Sequence, residues 1–170
     1  MLENKTKENN EFVPDSTRRV LYGDYIREIY KIACDNSEIT QEKIDDDIRA
    51  IYRSKHTKWH DIWCDGKIVG FVIVGTGTEC HPAADYFIVQ TYVEPSSRKR
   101  GIGKQFLKDY IKEHPGVYCL DILDKNEVAH KFWAKVFYES GYSGIVLPYI
   151  EHGEGKGVHM YAWDKDREGG

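Results

Sequence analysis

The stretch DYFIVQTYVEPSSRKRGIGKQFLKDYI, Asp85–Ile111, decides the fold. Asp85 to Val93 is dense in β-branched and aromatic residues and predicts a strand buried on both faces. Ile102, Phe106, Leu107, Tyr110 and Ile111 fall at helical spacing, and His114-Pro115-Gly116 stops that helix. Between the two, Arg98-Lys99-Arg100 runs into Gly101-Ile102-Gly103. The first-turn N–H groups of a helix lack internal partners, and its dipole places partial positive charge there. Glycines let backbone approach an anion closely and adopt positive φ. Arg98, Lys99, Arg100 and Lys104 add full charges, so a phosphate or pyrophosphate is the natural guest. A nucleic-acid contact and an ordinary basic turn share the same look.

Working outward, VYCLDIL (Val117–Leu123) reads as a short buried strand. Strand, loop, helix and strand in that order imply a parallel pair with a right-handed crossover. Upstream, HDIWCDGKIVGFVIVG (His60–Gly75) reads as a hairpin turning at Asp65-Gly66. Two helices precede it: Leu21, Tyr25, Ile26, Ile29, Tyr30 and Ala33 mark the first, and Ile44, Ile48, Ile51 and Tyr52 the second, capped by Thr40. The Asp45–Asp47 run reads as a mostly solvated face. Downstream, Val128, Ala129, Phe132, Trp133, Val136 and Phe137 make the clearest amphipathic helix, ending at Ser140-Gly141. The strands GIVLPYIE and VHMYAWD then flank a Gly-rich turn. The expected architecture is a mixed α/β sheet. Gly23, Gly75 and Gly77 read as turn residues.

The chain of 170 residues predicts one domain over 13–170, after a polar tail over 1–12 that is frayed or disordered. A formal charge of −4 argues against a nucleic-acid partner and makes the Arg98–Arg100 cluster a local site for a small anion. Cys34, Cys64, Cys80 and Cys119 lie far apart, so reduced thiols and a cytoplasmic location are expected. No apolar run approaches the ~20 residues of a membrane span. His56 and His60 stand at metal-like i,i+4 spacing, but with no third ligand in view they read as a solvated pair, and no metal is expected.

Walker A fails, because Arg98 stands where its first Gly belongs and Gln105 replaces Ser/Thr. A dinucleotide fingerprint fails at Phe106, the third Gly position. The surviving pattern is R-x-x-G-x-G at Arg98, Gly101 and Gly103, which resembles the acetyl-CoA-binding motif of the GNAT superfamily of N-acetyltransferases. A second motif of that family follows in order: DKNEVAHKFW supplies Asn126 opening a helix, then Ala129, Phe132 and Trp133, with Gly141-Tyr142 as the closing Gly-aromatic pair, later along the chain than the family usually has it. It is similar to a subgroup of predicted bacterial acetyltransferases with N-x-x-A-x-x-F-W. The likeness runs from Trp63 to Trp163; the first sixty residues share with the family only two helices.

The resemblance implies a GNAT-type fold, with a mostly antiparallel central sheet, a splayed parallel strand pair and about four flanking helices. It implies acetyl-CoA as co-substrate, bound between the splayed strands. Thr91, Tyr92 and Val93 would offer backbone groups to the pantetheine arm. The amides of Arg98, Lys99, Arg100, Gly101, Ile102, Gly103 and Lys104 would wrap the pyrophosphate. Asn126 would hydrogen-bond the pantetheine, and Ala129, Phe132 and Trp133 would line the cofactor side, with Trp133 along the thioester. The acceptor would be an amine on a small molecule or peptide that attacks directly, with a homodimer as a possible assembly. A CoA-binding regulatory or sensor domain with little turnover is the alternative.

The acid and base expected from the family are both replaced. Trp133 fills the position where relatives carry a Tyr acid, and an indole N–H only donates hydrogen bonds. Gln90 stands where relatives often carry Glu, and strand alternation puts Tyr92 on its face. Tyr138 is a nearby phenol on that helix, but five residues on it points away from the Trp133 face. Asp85, His81 and His130 remain as bases by chemistry alone, His130 reading rather as a surface histidine, and Cys119 reads as core.

Overall fold

A computed structural model of the chain describes residues 15–34, 38–152 and 155–167; the expected tail over 1–12 lies outside them. Helix α1 (Ser16–Cys34) buries Leu21, Tyr22 and Ile26, and α2 (Gln41–Arg53) buries Ile44 and Ile48. Thr40 caps α2, its Oγ1 accepting the Lys43 N–H at 3.2 Å. The acidic run is only partly solvated: Arg19 of α1 clamps the Asp45 carboxylate with two bonds of 2.8 and 2.9 Å, and Tyr22 donates to Asp47 at 3.3 Å.

The strands are β1 (Thr57–Cys64), β2 (Lys67–Thr76), β3 (Tyr86–Val93), β4 (Tyr118–Leu123), β5 (Tyr142–His152) and β6 (Gly155–Asp164). They form one sheet in the order β1-β2-β3-β4-β6-β5, antiparallel except for the β3–β4 pair. Helix α3 (Ile102–Glu113) makes the β3–β4 crossover, and α4 (Glu127–Glu139) follows β4. The mixed α/β class, the parallel pair and the four flanking helices are as the sequence and its resemblance implied. Short 3-10 turns at Pro95–Ser97 and Lys165–Arg167 were not foreseen.

Each sheet face has its own core. Under α3 and α4 lie Val72, Val74, Ile88, Leu107, Ile111, Tyr118, Leu120, Ile122, Trp133, Val136 and Phe137; under α1 and α2 lie Trp59, Phe71, Ile73 and Tyr92. His60 is not half of a solvated pair. It is half-buried against Tyr110, its ring 5.1 Å from the phenol ring, and desolvation holds its pKa below the ordinary value. Nor can His56 and His60 share a metal, because four residues along an extended chain span ~13 Å. Of the glycines expected in turns, only Gly77 is one; Gly23 sits inside α1 and Gly75 inside β2, where a Cβ would lie 2.8 Å from Cys80 Sγ.

The central strand departs from the expected two-sided burial in a way that positions the site. In β3 only Ile88 and Tyr92 are buried. The β3–β4 pairing covers Tyr86↔Tyr118, Phe87↔Cys119 and Ile88↔Leu120 and stops there. Beyond it β3 follows β2 as far as Val93↔Gly70, while β4 follows β6 as far as Leu123↔Gly157. Register with β2 slips at the same place, since Ile73 faces Gln90 but Val74 faces Ile88, leaving Val89 as an extra residue. This bulge bends β3 away from β4 and opens a wedge in the sheet.

Candidate active site

The wedge is a cleft of about 300 Å³. Phe87–Thr91 form one wall, Leu120–Leu123 the other, the cap residue Asn126 with Ala129 and Trp133 of α4 close one side, and Tyr25, Ile29 and Tyr149 the opposite side. Glu94 donates its N–H to Val69 of β2, so by alternation Thr91 and Val93 turn their backbone groups toward the wedge. Two buried side-chain oxygens at the cleft, Gln90 Oε1 and Thr91 Oγ1, have no hydrogen-bond partner among the described residues. Buried polar atoms are nearly always paired, so orphans in a cleft mark where a polar ligand belongs.

The Gln90 orphan is held in place. Its Nε2 donates to Tyr22 Oη at 3.3 Å, and that hydroxyl donates onward to Asp47. With the amide nitrogen so engaged, the carbonyl oxygen remains as the acceptor. Tyr22 stays a phenol, its pKa pushed well above the ordinary value by burial first of all.

The Gly-Ile-Gly loop stands beyond the β3 end of the cleft. Gly101, at φ +72°, is the residue from which α3 starts, and Lys99 is left-handed too at +67°. A non-glycine residue held there stores strain, and such strain clusters at ligand-binding loops. Gly103 lets α3 close on β3, since a Cβ would lie 3.0 Å from a Val93 methyl. The basic side chains are mostly engaged with protein. Arg98 donates to the Val93 carbonyl at 2.8 Å, pairs with Glu28 at 2.8 Å and lies over the Tyr92 ring. Arg100 faces Asp65 at 3.6 Å and Lys104 faces Glu139 at 3.2 Å. What the loop presents to an anion is therefore chiefly the amides of a helix start, with Lys99 unpaired among the described residues.

Asn126 caps α4, its Oδ1 accepting the Ala129 N–H at 3.2 Å, and it keeps its amide N–H₂ toward the cleft lining. Trp133 is buried and lines the same cavity, with Phe132 set edge-on to it at 5.5 Å. Gln90, Thr91, Asn126, Ala129 and Trp133 thus line one cleft.

Other expectations fail on geometry. Tyr92 is a core residue under α1, packed on Tyr25 and Phe71, and not part of the cleft lining. Tyr138 is 74% exposed, with the Lys165 ammonium over its ring, because five residues of helix turn it away from Trp133. Asp85 spends its carboxylate on the Val117 N–H at 2.7 Å, and His130 is tied through Nε2 to the Leu123 carbonyl at 3.1 Å. Cys119 is buried, as expected, and its thiol is pushed up to about 11 chiefly by desolvation, so it stays protonated.

The sequence reading missed the polar group of Asp121 on β4 and His159 and Tyr161 on β6, with Tyr149 beside them on β5. Cys119 and Asp121 alternate with Leu120 and Ile122, and His159 and Tyr161 alternate with Met160 and Ala162. That period of two, with polar residues on one face, was the available signal.

The sequence model of the Acetyltransferase (GNAT) family matches residues 24–137, about two thirds of the chain. The chain belongs to the GNAT acetyltransferase family. The match starts within α1, upstream of where the motif likeness begins. Three solved acetyltransferases share the GNAT fold. One is from Thermus thermophilus, at 13% identity and TM-score 0.62, over 88% of this chain and 92% of that one. The ribosomal L7/L12 alpha-N-protein acetyltransferase RimL, in complex with coenzyme A, aligns at 14% identity and TM-score 0.64, over 92% and 93%. Spermidine N-acetyltransferase from Vibrio cholerae, in complex with CoA and spermine, aligns at 10% and 0.58, over 88% and 92%. No curated protein sequence matches the GNAT chain closely enough to count as a relative. Among the described residues no helix is long and apolar enough to cross a membrane.

Proposed function

We propose that this GNAT protein transfers acetyl from acetyl-CoA to a primary amine of a small molecule or peptide by direct attack. The observation that carries the reading is the pair of orphaned oxygens, Gln90 Oε1 and Thr91 Oγ1, in a wedge whose far end meets a helix start. The amides of Arg98–Lys104 take the pyrophosphate, and the backbone of Thr91 and Val93 with the Asn126 amide takes the pantetheine arm. Trp133 then packs along the thioester. The fit to an acyl-CoA is supported by the unpaired oxygens of the cleft and by the helix-start amides of the loop that follows β3. Fold neighbours bound to CoA with spermine, or with CoA and L-2,4-diaminobutyric acid, favour an amine as acceptor.

Calorimetric titration of acetyl-CoA and CoA into the folded protein tests the first half of this reading, and thiol release over an amine panel tests the second. The expected result is binding of both nucleotides and amine-dependent release of CoA. A folded protein that binds neither refutes the reading. Binding without release from any amine converts the assignment to a CoA sensor, which the Trp133 indole in place of a phenol acid would suit.

A further inference from the structure

We propose that His159, oriented by Asp121, is the group that accepts the proton of the attacking amine. This rests on the acyl-transfer reading above and gives that site the base that Gln90 cannot be.

Asp121 and His159 are directly opposite in the β4–β6 register, and Cys119 is opposite Tyr161. All four lie on the sheet face away from α3 and α4, because their neighbours Leu120, Ile122, Met160 and Ala162 fill the core beneath those helices. Asp121 is the first β4 residue past the last β3–β4 pair, so it stands where the wedge opens and lines the cleft. Gln90 and Thr91 of β3 line the same cleft. Neither partner is sealed in: the Asp121 and His159 side chains are 43% and 33% exposed. The His159 ring lies 4.8 Å from Tyr149, which is itself in the cleft wall.

His159 Nδ1 meets Asp121 Oδ1 at 2.5 Å. A carboxylate only accepts, so Nδ1 is the donor, and in the neutral imidazole Nε2 then carries the lone pair. This is the arrangement that makes an imidazole a general base: one nitrogen oriented by a carboxylate, the other open to a proton directly or through one water. The other titratable groups facing the pair are Cys119 on β4, Tyr149 on β5, Tyr161 on β6 and His81 after β2. They are otherwise engaged. His81 Nδ1 accepts the Ala83 N–H at 3.0 Å, so its Nε2–H donates to Tyr161 Oη at 3.1 Å, and that hydroxyl bonds Cys119.

As the neutral amine nitrogen bonds to the thioester carbon, the carbonyl π pair moves onto oxygen and the N–H becomes acidic. His159 Nε2 takes that proton, giving an imidazolium beside the Asp121 carboxylate. The C=O re-forms, the C–S bond breaks, and the thiolate leaves with the pair. The imidazolium proton returns to the thiolate through solvent, so amine and acetyl-CoA yield N-acetyl amine and CoA thiol. The Cys119 sulfur, the Asp121 carboxylate and the His159 ring also lie within 4.8 Å of one another, but the direct nitrogen–oxygen contact leaves no room for an ion between those two.

The test uses the full chain, with His159→Ala and Asp121→Asn as variants. Acetyl-CoA is the donor; butylamine, ethylenediamine and a short peptide with a free N-terminus are the acceptor probes. The expected result is unchanged calorimetric binding of acetyl-CoA, thiol release slowed ~10²-fold or more in His159→Ala, and a smaller loss in Asp121→Asn. Free imidazole in the buffer should restore much of the His159→Ala rate, which a packing defect would not allow. Long-range nitrogen NMR of the free protein should show His159 protonated at Nδ1, a readout independent of turnover. Full activity in His159→Ala with binding intact overturns the dyad alone, as does an Nε2–H tautomer. Activity abolished by a chelator and restored by zinc overturns it in favour of a metal. Failure of the wild type to bind acetyl-CoA, or to release thiol to any probe, removes the reading on which it stands.

Discussion

Gly101 offers the sharpest test of the anion site, through a matched pair of substitutions, Gly101→Asp and Gly101→Asn. Its φ of +72° is left-handed, and a Cβ built there meets nothing within 4 Å. Space is therefore free and only backbone strain is added, about 1 kcal/mol. Asn and Asp tolerate this conformation better than other side chains and suffer it alike. They differ by one charge at the residue that caps α3. For folding, that charge is favourable by roughly 0.3–1 kcal/mol, since it faces the positive end of the helix dipole. For a pyrophosphate on the same amides it is unfavourable: about 3 kcal/mol per unit charge at ~5 Å and an effective dielectric of ~20. The two effects have opposite signs, so misfolding cannot mimic the result. Gly101→Asp should melt no lower than Gly101→Asn yet bind acetyl-CoA about 10²-fold more weakly by calorimetry. The gap should narrow as salt is raised, because exposed charges are screened over ~10 Å at 0.1 M. Affinities within about threefold of each other at low salt would refute the placement of the pyrophosphate on this loop.

Thr91→Val removes an orphaned buried hydroxyl at nearly constant shape. It should raise stability by about 1 kcal/mol in urea unfolding while weakening acetyl-CoA; a loss of stability would mean that the hydroxyl is satisfied within the fold. His60 titrates low because it is buried, so the unfolded chain binds its proton first as pH falls. The stability it contributes is present above about 6.5 and is lost on acidification through its lowered folded value; His60→Phe should flatten the melting temperature against pH over that interval, and an unchanged slope would contradict the burial. Ile145, Val146 and Leu147 are each about half exposed on β5, an edge of the described sheet. Such an edge is a template for pairing with a second copy, so sedimentation should show a homodimer that Val146→Lys dissociates, and a wild type monomeric at every concentration would end that proposal.

Strand, loop, helix and strand from Asp85 to Leu123, and the helix from Asn126, were legible in the sequence because they depend on local rules. Apolar period, capping residues and glycines at a helix start act over a few residues, and the same local spacing carried the family likeness. Thr91, Asn126, Ala129 and Trp133 came to the cleft for that reason. Tertiary structure alone decided the rest. The bulge at Val89 gives β3 a residue that β2 does not match, and only the three-stranded context turns that mismatch into a wedge instead of a buried strand. Tyr92 shares the Gln90 side of the strand by alternation, yet α1 covers it. Asp121 and His159 are thirty-eight residues apart, and nothing local joins them. Their meeting is a register fact of two antiparallel strands, fixed by which faces of β4 and β6 must bury Leu120, Ile122, Met160 and Ala162. The glycines and basic residues ahead of α3 are a local feature of the sequence, whereas packing across the sheet set Asp121 beside His159.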